Sequence, residues 1–241
     1  MTSVRSDSMA PIFRKEQKYI ITEETYLRIQ NMLEAVMEPD RYGDEGNYMV
    51  RSQYYDSMTD ADLKDNLDGV LEKRKIRVRI YSPDELSAKL EYKCKNGSDG
   101  IKYSILLTRE EVILMENHQY EFLLEREEEL AKRLYVKMTE QVYSPKTIVE
   151  YERTAYTYPV SDVRVTFDRN IRGSVNPYGI FEKEPFYIPL INPDMGVLEV
   201  KYNDFFPSAL KPLLESLDGV AESYSKYSMA RLSDIFAVSG S

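Results

Sequence analysis

The chain has 241 residues, 42% of them apolar, which suits one domain with a real core, and it carries a formal net charge of -9. That balance excludes a protein that coats nucleic acid through a net basic surface, so any anion site has to be local. A lone Cys94 and a lone His118 exclude an intrachain disulfide and a structural zinc site, and they make the cytoplasm the default compartment; no apolar run is long enough to cross a bilayer, and Met1 to Pro11 lacks the apolar core of a signal peptide.

Residues 1–12 are polar and expected to be frayed, a single domain is expected over 13–236, and 237–241 would be a tail. Phe13 to Ile21 reads as a strand, and Thr22 then caps a helix carrying Tyr26, Ile29, Met32, Leu33 and Val36 at helical spacing. Pro39 and Gly43 end that unit. Tyr48 to Tyr55, Leu71 to Tyr81, Leu86 to Lys95 and Ile101 to Leu107 are strand-like, with turn chemistry from Asn96-Gly97 through Gly100 between the last two, as in an antiparallel meander. Thr108 with Glu111 forms a capping box that opens a helical stretch, and Tyr120 to Thr139 reads as a second, charge-rich amphipathic helix. Beyond Pro145, strands return at Lys146 to Tyr158, Val163 to Asp168 and, after a proline-rich loop, Gly196 to Tyr202; Phe205 to Leu217 and Tyr227 to Phe236 read as helices. Segregated strands and helices without a repeat predict an α+β domain or a barrel.

The strands carry the chemistry. In the run Lys73 to Tyr81, alternation puts Ile76, Val78 and Ile80 on one face and Lys75, Arg77 and Arg79 on the other. A row of like charges repels itself unless water or an anion neutralises it. The pattern recurs: Lys89, Glu91, Lys93 and Lys95 share a face, as do Arg14, Glu16 and Lys18, Tyr151 and Arg153, Arg164, Thr166 and Asp168, and Glu199 and Lys201. One such strand is an ordinary solvated face. Six of them, closed into a barrel, would surround a channel wide enough for a chain of phosphates, with Arg for bidentate grip and Lys for mobile charge. Carboxylates among these cations need a reason. Glu16, Glu91 and Asp168 would either orient Arg side chains or join a divalent metal, and Glu199 is the first choice as metal ligand.

The run Arg14 to Tyr19, then Arg77-Val-Arg79, Glu91-Tyr-Lys93, Lys102, Tyr151-Glu-Arg153, Asp168, Glu199-Val-Lys201 and Ser225-Lys226-Tyr227 resembles the VTC polyphosphate polymerase domain, of the triphosphate tunnel metalloenzyme (CYTH-like) superfamily, from about Phe13 to Leu232. The resemblance implies an α+β fold with an eight-stranded antiparallel β-barrel, the triphosphate tunnel, and flanking helices. It implies phosphate binding by Lys18, Arg77, Arg79, Lys93, Lys102, Arg153 and Lys201, a metal (Mn²⁺ or Mg²⁺) on Glu199, and Lys226 capping the tunnel. Of Arg164 and Arg169, which alternation places on opposite faces, only one is expected inside. The superfamily's first strand carries Glu-x-Glu-x-Lys where this chain has Arg14-x-Glu16-x-Lys18, which favours the polymerase branch over the hydrolases.

The expected function is a phosphotransferase moving the γ-phosphate of ATP or another triphosphate onto a polyphosphate chain. Arg77, Arg79 and Arg153 would grip the transferring group, with Lys226 near it as the fourth catalytic residue. The alternatives are a triphosphatase of the same fold and a non-catalytic polyanion-binding module, with a membrane-protein partner encoded elsewhere left open; nucleic acid is not an expected partner. His118 is read as a surface turn residue, Cys94 as a small core residue, and Tyr19, Tyr54 and Tyr151 as tyrosines able to reach a ligand.

Overall fold

The computed structural model describes residues 15–43, 46–97, 99–203, 206–215, 217 and 224–239. Phe13, Arg14, Phe205, the segment 1–12 and residues 240–241 lie outside the described residues. Among the described residues ten strands form one antiparallel sheet: β1 (Lys15–Thr22), β2 (Glu38–Pro39), β3 (Asn47–Asp56), β4 (Glu72–Ile80), β5 (Ser87–Asn96), β6 (Asp99–Thr108), β7 (Ser144–Thr157), β8 (Arg164–Ser174), β9 (Ile188–Pro189) and β10 (Met195–Tyr202). Eight run in the order β1-β10-β8-β7-β3-β4-β5-β6, while the two-residue strands β2 and β9 pair with β7 and β8.

The sheet does not close into the expected barrel. β1 and β6 are its two ends, and among the described residues they share no backbone pairing. The sheet instead curls until Lys93 Nζ of β5 lies 3.4 Å from Glu16 of β1. That contact is made by side chains from β5, one strand in from the end, so it crosses the interior without pairing the two end strands.

The convex face takes two cores. Under β4 to β6, Ile76, Val78, Ile80 and Leu90 pack with Val112, Met115, Leu134 and Met138 of α3 (Arg109–Glu116) and α4 (Glu129–Glu140). The expected capping box opens α3, with the Glu111 amide donating to Thr108 Oγ1 and the Thr108 amide donating to the Glu111 carboxylate. The single helix expected over Tyr120 to Thr139 is two pieces, a 3₁₀ turn at Glu121–Leu124 and then α4. Between them Arg126 is drawn aside to Glu111, at 2.8 Å, and to the Leu106 carbonyl, at 3.0 Å, which breaks the helical path.

Over β1, β10 and β8 lies α1 (Glu23–Val36), capped by Thr22 as expected. Its Tyr26, Ile29 and Leu33 pack on Phe167, Leu198 and Val200. Tyr26 stacks on Phe167 with ring centroids 3.8 Å apart. Gly196 permits this, because a Cβ there would stand 2.4 Å from the Phe167 ring. Tyr19 belongs to this outer core and cannot reach a ligand inside the curl. Cys94 is half-buried on the convex side and not part of a core, and His118 is the exposed turn residue expected, with φ 59°.

A third core lies on the concave side, where inward-facing Val50, Val149 and Val197 pack with Tyr224, Tyr227 and Ala230. These come from and just before α6 (Lys226–Ser239). A helix not anticipated in the sequence, α2 (Ala61–Leu67), helps to hold it. Asp56 accepts from the amides of Ser57, Asp62 and Leu63 and from the Tyr227 hydroxyl, the last at 2.6 Å, and Arg231 of α6 forks onto Asp60. Tyr227→Phe deletes one buried bond to a charged acceptor, so it should lower the unfolding free energy by about 1.5–3 kcal/mol, read from urea denaturation. The stretch Phe205 to Leu217 contains a 3₁₀ turn (Ser208–Leu210) and the short α5 (Lys211–Glu215). No helix among the described residues is long and apolar enough to cross a membrane.

Candidate anion site in the concave sheet

Alternation works along each strand as the sequence implies. Arg77 and Arg79 of β4 face inward opposite Tyr54 and Ser52 of β3, while their neighbours Ile76, Val78 and Ile80 enter the outer core. The curl gathers these inward rows around a cavity of about 210 Å³. Lys18, Arg77, Arg79, Lys93, Arg153, Lys201, Glu199 and Lys226, eight of the residues singled out from the sequence, all line it. Lys102 does not. Its side chain is 55% exposed and reaches over to Glu91 at 3.0 Å, because β6 is an open edge rather than a barrel stave. Neither Arg164 nor Arg169 lines it, against the expectation that one would. Arg164 turns at its strand end to Asp40 and to the Tyr48 hydroxyl, and Arg169 lies outside near Glu23 and Glu152.

The carboxylates orient cations, and each does so for a definite set. Glu91 receives Arg77 Nε at 2.7 Å and Nη2 at 2.6 Å, with Arg79 Nη1 at 3.8 Å. Burial alone would raise its carboxyl; Arg77, Arg79 and Lys102 outweigh burial and hold it far below the usual carboxylate range. Arg77 Nη1 also donates to the Tyr54 hydroxyl at 3.3 Å, and Arg79 donates to Ser52 Oγ and the Tyr151 hydroxyl. Burial would raise the Tyr54 phenol, but Arg77 and Arg79 bring it below its ordinary value. Asp168, fully buried, takes both Arg153 Nε at 2.7 Å and Nη2 at 2.8 Å, and Lys226 Nζ at 2.6 Å.

Glu16 and Glu199 form a different arrangement. They sit diagonally on the paired strands β1 and β10 and both line the cavity, with Lys18 near each. Lys18 lies 3.0 Å from Glu16 and 3.8 Å from Glu199, and Lys201 3.1 Å from Glu199. Burial would raise Glu199; Lys201, the Glu16 hydrogen bond, Lys18 and Arg153 together push it well below the usual range. Two carboxylates this close need positive charge between them, and Lys18, near both, supplies part of it. No group of three or more His, Cys, Asp or Glu that could hold a metal occurs among the described residues. A pair of carboxylates nevertheless fits Mg²⁺ or Mn²⁺, which are commonly held by one or two carboxylates with phosphate oxygens and water completing the shell. Glu16 is the carboxylate nearest to hand beside Glu199, the residue expected from the sequence as metal ligand.

The lining also includes residues not singled out for the site: Lys73, Lys75, Lys95, Asn66, Tyr224 and Ser225. Alternation already puts Lys75 on the face of Arg77 and Lys95 on the face of Lys93, although neither is assigned a role in the site from the sequence. Asn66 and Tyr224 arrive through α2 and the approach to α6, contacts that no local pattern encodes, while Ser225 belongs to the Ser225-Lys226-Tyr227 motif without a role of its own there.

A curled antiparallel sheet with a cation-lined interior, stoppered on one side by a C-terminal helix, defines a tunnel-type α+β domain whose interior suits a triphosphate-like anion. The VTC domain profile matches residues 13–233, and the chain belongs to that family. Among solved structures, a "putative adenylate cyclase" from Bacillus halodurans superposes with a TM-score of 0.52 at 12% identity, covering 89% of this chain and 96% of the other. That likeness bears on the fold. A protein of the same description from Vibrio parahaemolyticus gives 0.48 at 11% identity over 91% and 98%, and the PH1819 protein from Pyrococcus horikoshii, whose description states no activity, gives 0.46 at 12% over 90% and 97%. No curated protein matches the chain.

Proposed function

We propose that the domain is a polyphosphate polymerase-like phosphotransferase, which moves the γ-phosphate of ATP or a related triphosphate onto the end of a polyphosphate chain. The observation that carries this reading is the convergence of Arg77, Arg79 and Arg153 on one cavity with Lys18, Lys93 and Lys201, beside the Lys226 that bonds Asp168. Phosphoryl transfer asks little covalent chemistry of a protein and much charge neutralisation and positioning. Here the three guanidiniums are fixed before any ligand arrives, Arg77 by Glu91 and Arg153 by Asp168 through two nitrogens each, and Arg79 by Ser52 and Tyr151. Each pairing leaves donors for phosphate oxygens, since a guanidinium carries five N–H groups. The acceptor phosphate is already ionised, so transfer to it needs no base. Glu199 with Glu16 would hold the divalent ion, which when bound would neutralise charge on the phosphate oxygens.

The test is incubation of the purified protein with ATP and Mn²⁺ or Mg²⁺, resolving polymer from free phosphate, with Glu199→Gln alongside. Polymer from the wild type, lost in Glu199→Gln, is expected. Free phosphate without polymer would make the protein a triphosphatase, and tight tripolyphosphate binding with neither product would make it a binding module.

A further inference from the structure

Lys75 differs from the cations of the cavity that have a carboxylate partner. Lys73 and Arg77 flank it on the inward face of β4, Lys93 of β5 is its register partner directly opposite, and Lys18 faces it from β1. Tyr54 of β3, Asn66 of α2, and Tyr224, Ser225 and Lys226 at the start of α6 complete the surrounding wall. The Lys75 ammonium nitrogen is bonded only to a neutral hydroxyl, Ser225 Oγ at 2.8 Å, and among the described residues it has no ion pair. Of its neighbours, Lys18 and Lys93 are compensated by Glu16, Arg77 by Glu91 and Lys226 by Asp168, while Lys73, like Lys75, has no ion pair among the described residues. Burial and then the charges of Lys18, Lys93, Arg77 and Lys73 bring Lys75 down to about 7. A phosphate chain laid along this face would reverse the sign of the local field, since it would supply the acceptors that the protein withholds.

We propose that Lys75 is the residue through which the cavity registers a bound polyanion: in mildly alkaline solution without one it rests mainly as a neutral amine against Ser225, and a phosphate chain converts it to an ammonium by drawing one proton from solvent. The inference rests on the reading of the cavity as a polyphosphate or triphosphate site, not on turnover. The proton taken up is delivered to Nζ, whose lone pair forms the new N–H bond, and the resulting ammonium donates to phosphate oxygens. Affinity for the anion should then fall by about tenfold per pH unit above about pH 7, because binding has to recruit a proton that grows scarcer.

Calorimetric titration of tripolyphosphate into the full chain at about pH 8, in two buffers of different ionisation enthalpy, counts that proton. The wild type should take up about one proton per anion more than Lys75→Arg, which is always charged, the difference cancelling any proton that the tripolyphosphate itself gives up. Lys75→Met should bind more weakly and should also take up about one proton fewer than the wild type. A proton count for the wild type equal to that of both variants would overturn the assignment while leaving the cavity's reading intact. Failure of the wild type to bind tripolyphosphate at all would overturn both.

Discussion

Arg77→Ala should lower turnover of a triphosphate by about a hundredfold or more, the usual cost of removing one preorganised donor aimed at developing charge. The size follows from geometry. Arg77 is clamped by Glu91 through two nitrogens and touches the Tyr54 hydroxyl with a third, so it arrives already oriented and loses little on binding substrate. The substitution also leaves the buried Glu91 with only Lys102 at 3.0 Å and Arg79 at 3.8 Å, so part of any loss could come from a displaced carboxylate. Arg77→Lys separates the two effects. It keeps a positive charge near Glu91 but has no planar fork, so it should preserve the unfolding midpoint better than alanine does while recovering little of the rate. If Arg77→Ala turns over at the wild-type rate, the tunnel arginines are not the transfer machinery.

Asp168→Asn should lower the unfolding free energy by about 3–5 kcal/mol, because it removes the one negative charge between two buried cations. Asp168 has no solvent exposure and holds Arg153 of β7 and Lys226 of α6 at once, so it ties the sheet to the helix that stoppers the cavity. Burial would raise this carboxyl, but Arg153 and then Lys226 outweigh it and hold it down to about 2. The sign follows from that depression. Stability from the pair is fully present above the ordinary aspartate value near 4 and is lost as the pH falls through about 2, a contribution of about 2 kcal/mol. Urea midpoints measured across that acid range should fall in the wild type with a component that Asp168→Asn lacks. Equal midpoints for the two proteins at neutral pH would show that Arg153 and Lys226 do not need this carboxylate.

Strand alternation is a local property with a period of two, and it was enough to assign the inward faces of β1, β4, β5, β7 and β10 before any tertiary contact was known. Lys18, Arg77, Arg79, Lys93, Arg153, Lys201 and Glu199 were legible for that reason, and Lys226 through its family motif. Lys102 obeys the same alternation yet stays at the rim, because whether an inward face meets a cavity depends on how far an edge strand curls. The sequence also signalled the caps at Thr22 and Thr108, where donor and acceptor stand three residues apart. It gave little sign of α2, whose seven residues bury only Asp62 and Leu63 and whose first turn depends on Asp56, across a bend.

What the sequence by itself determined is the cationic lining and its sign, since each strand's pattern fixes which side chains share a face. Tertiary structure alone decided which carboxylate neutralises which cation, that the sheet stops short of closing, and that Lys75 is left with a hydroxyl for company. Those outcomes depend on distances between β1, β5 and the approach to α6, segments far apart along the chain, and Coulomb and hydrogen-bond energies are set by such distances rather than by sequence spacing.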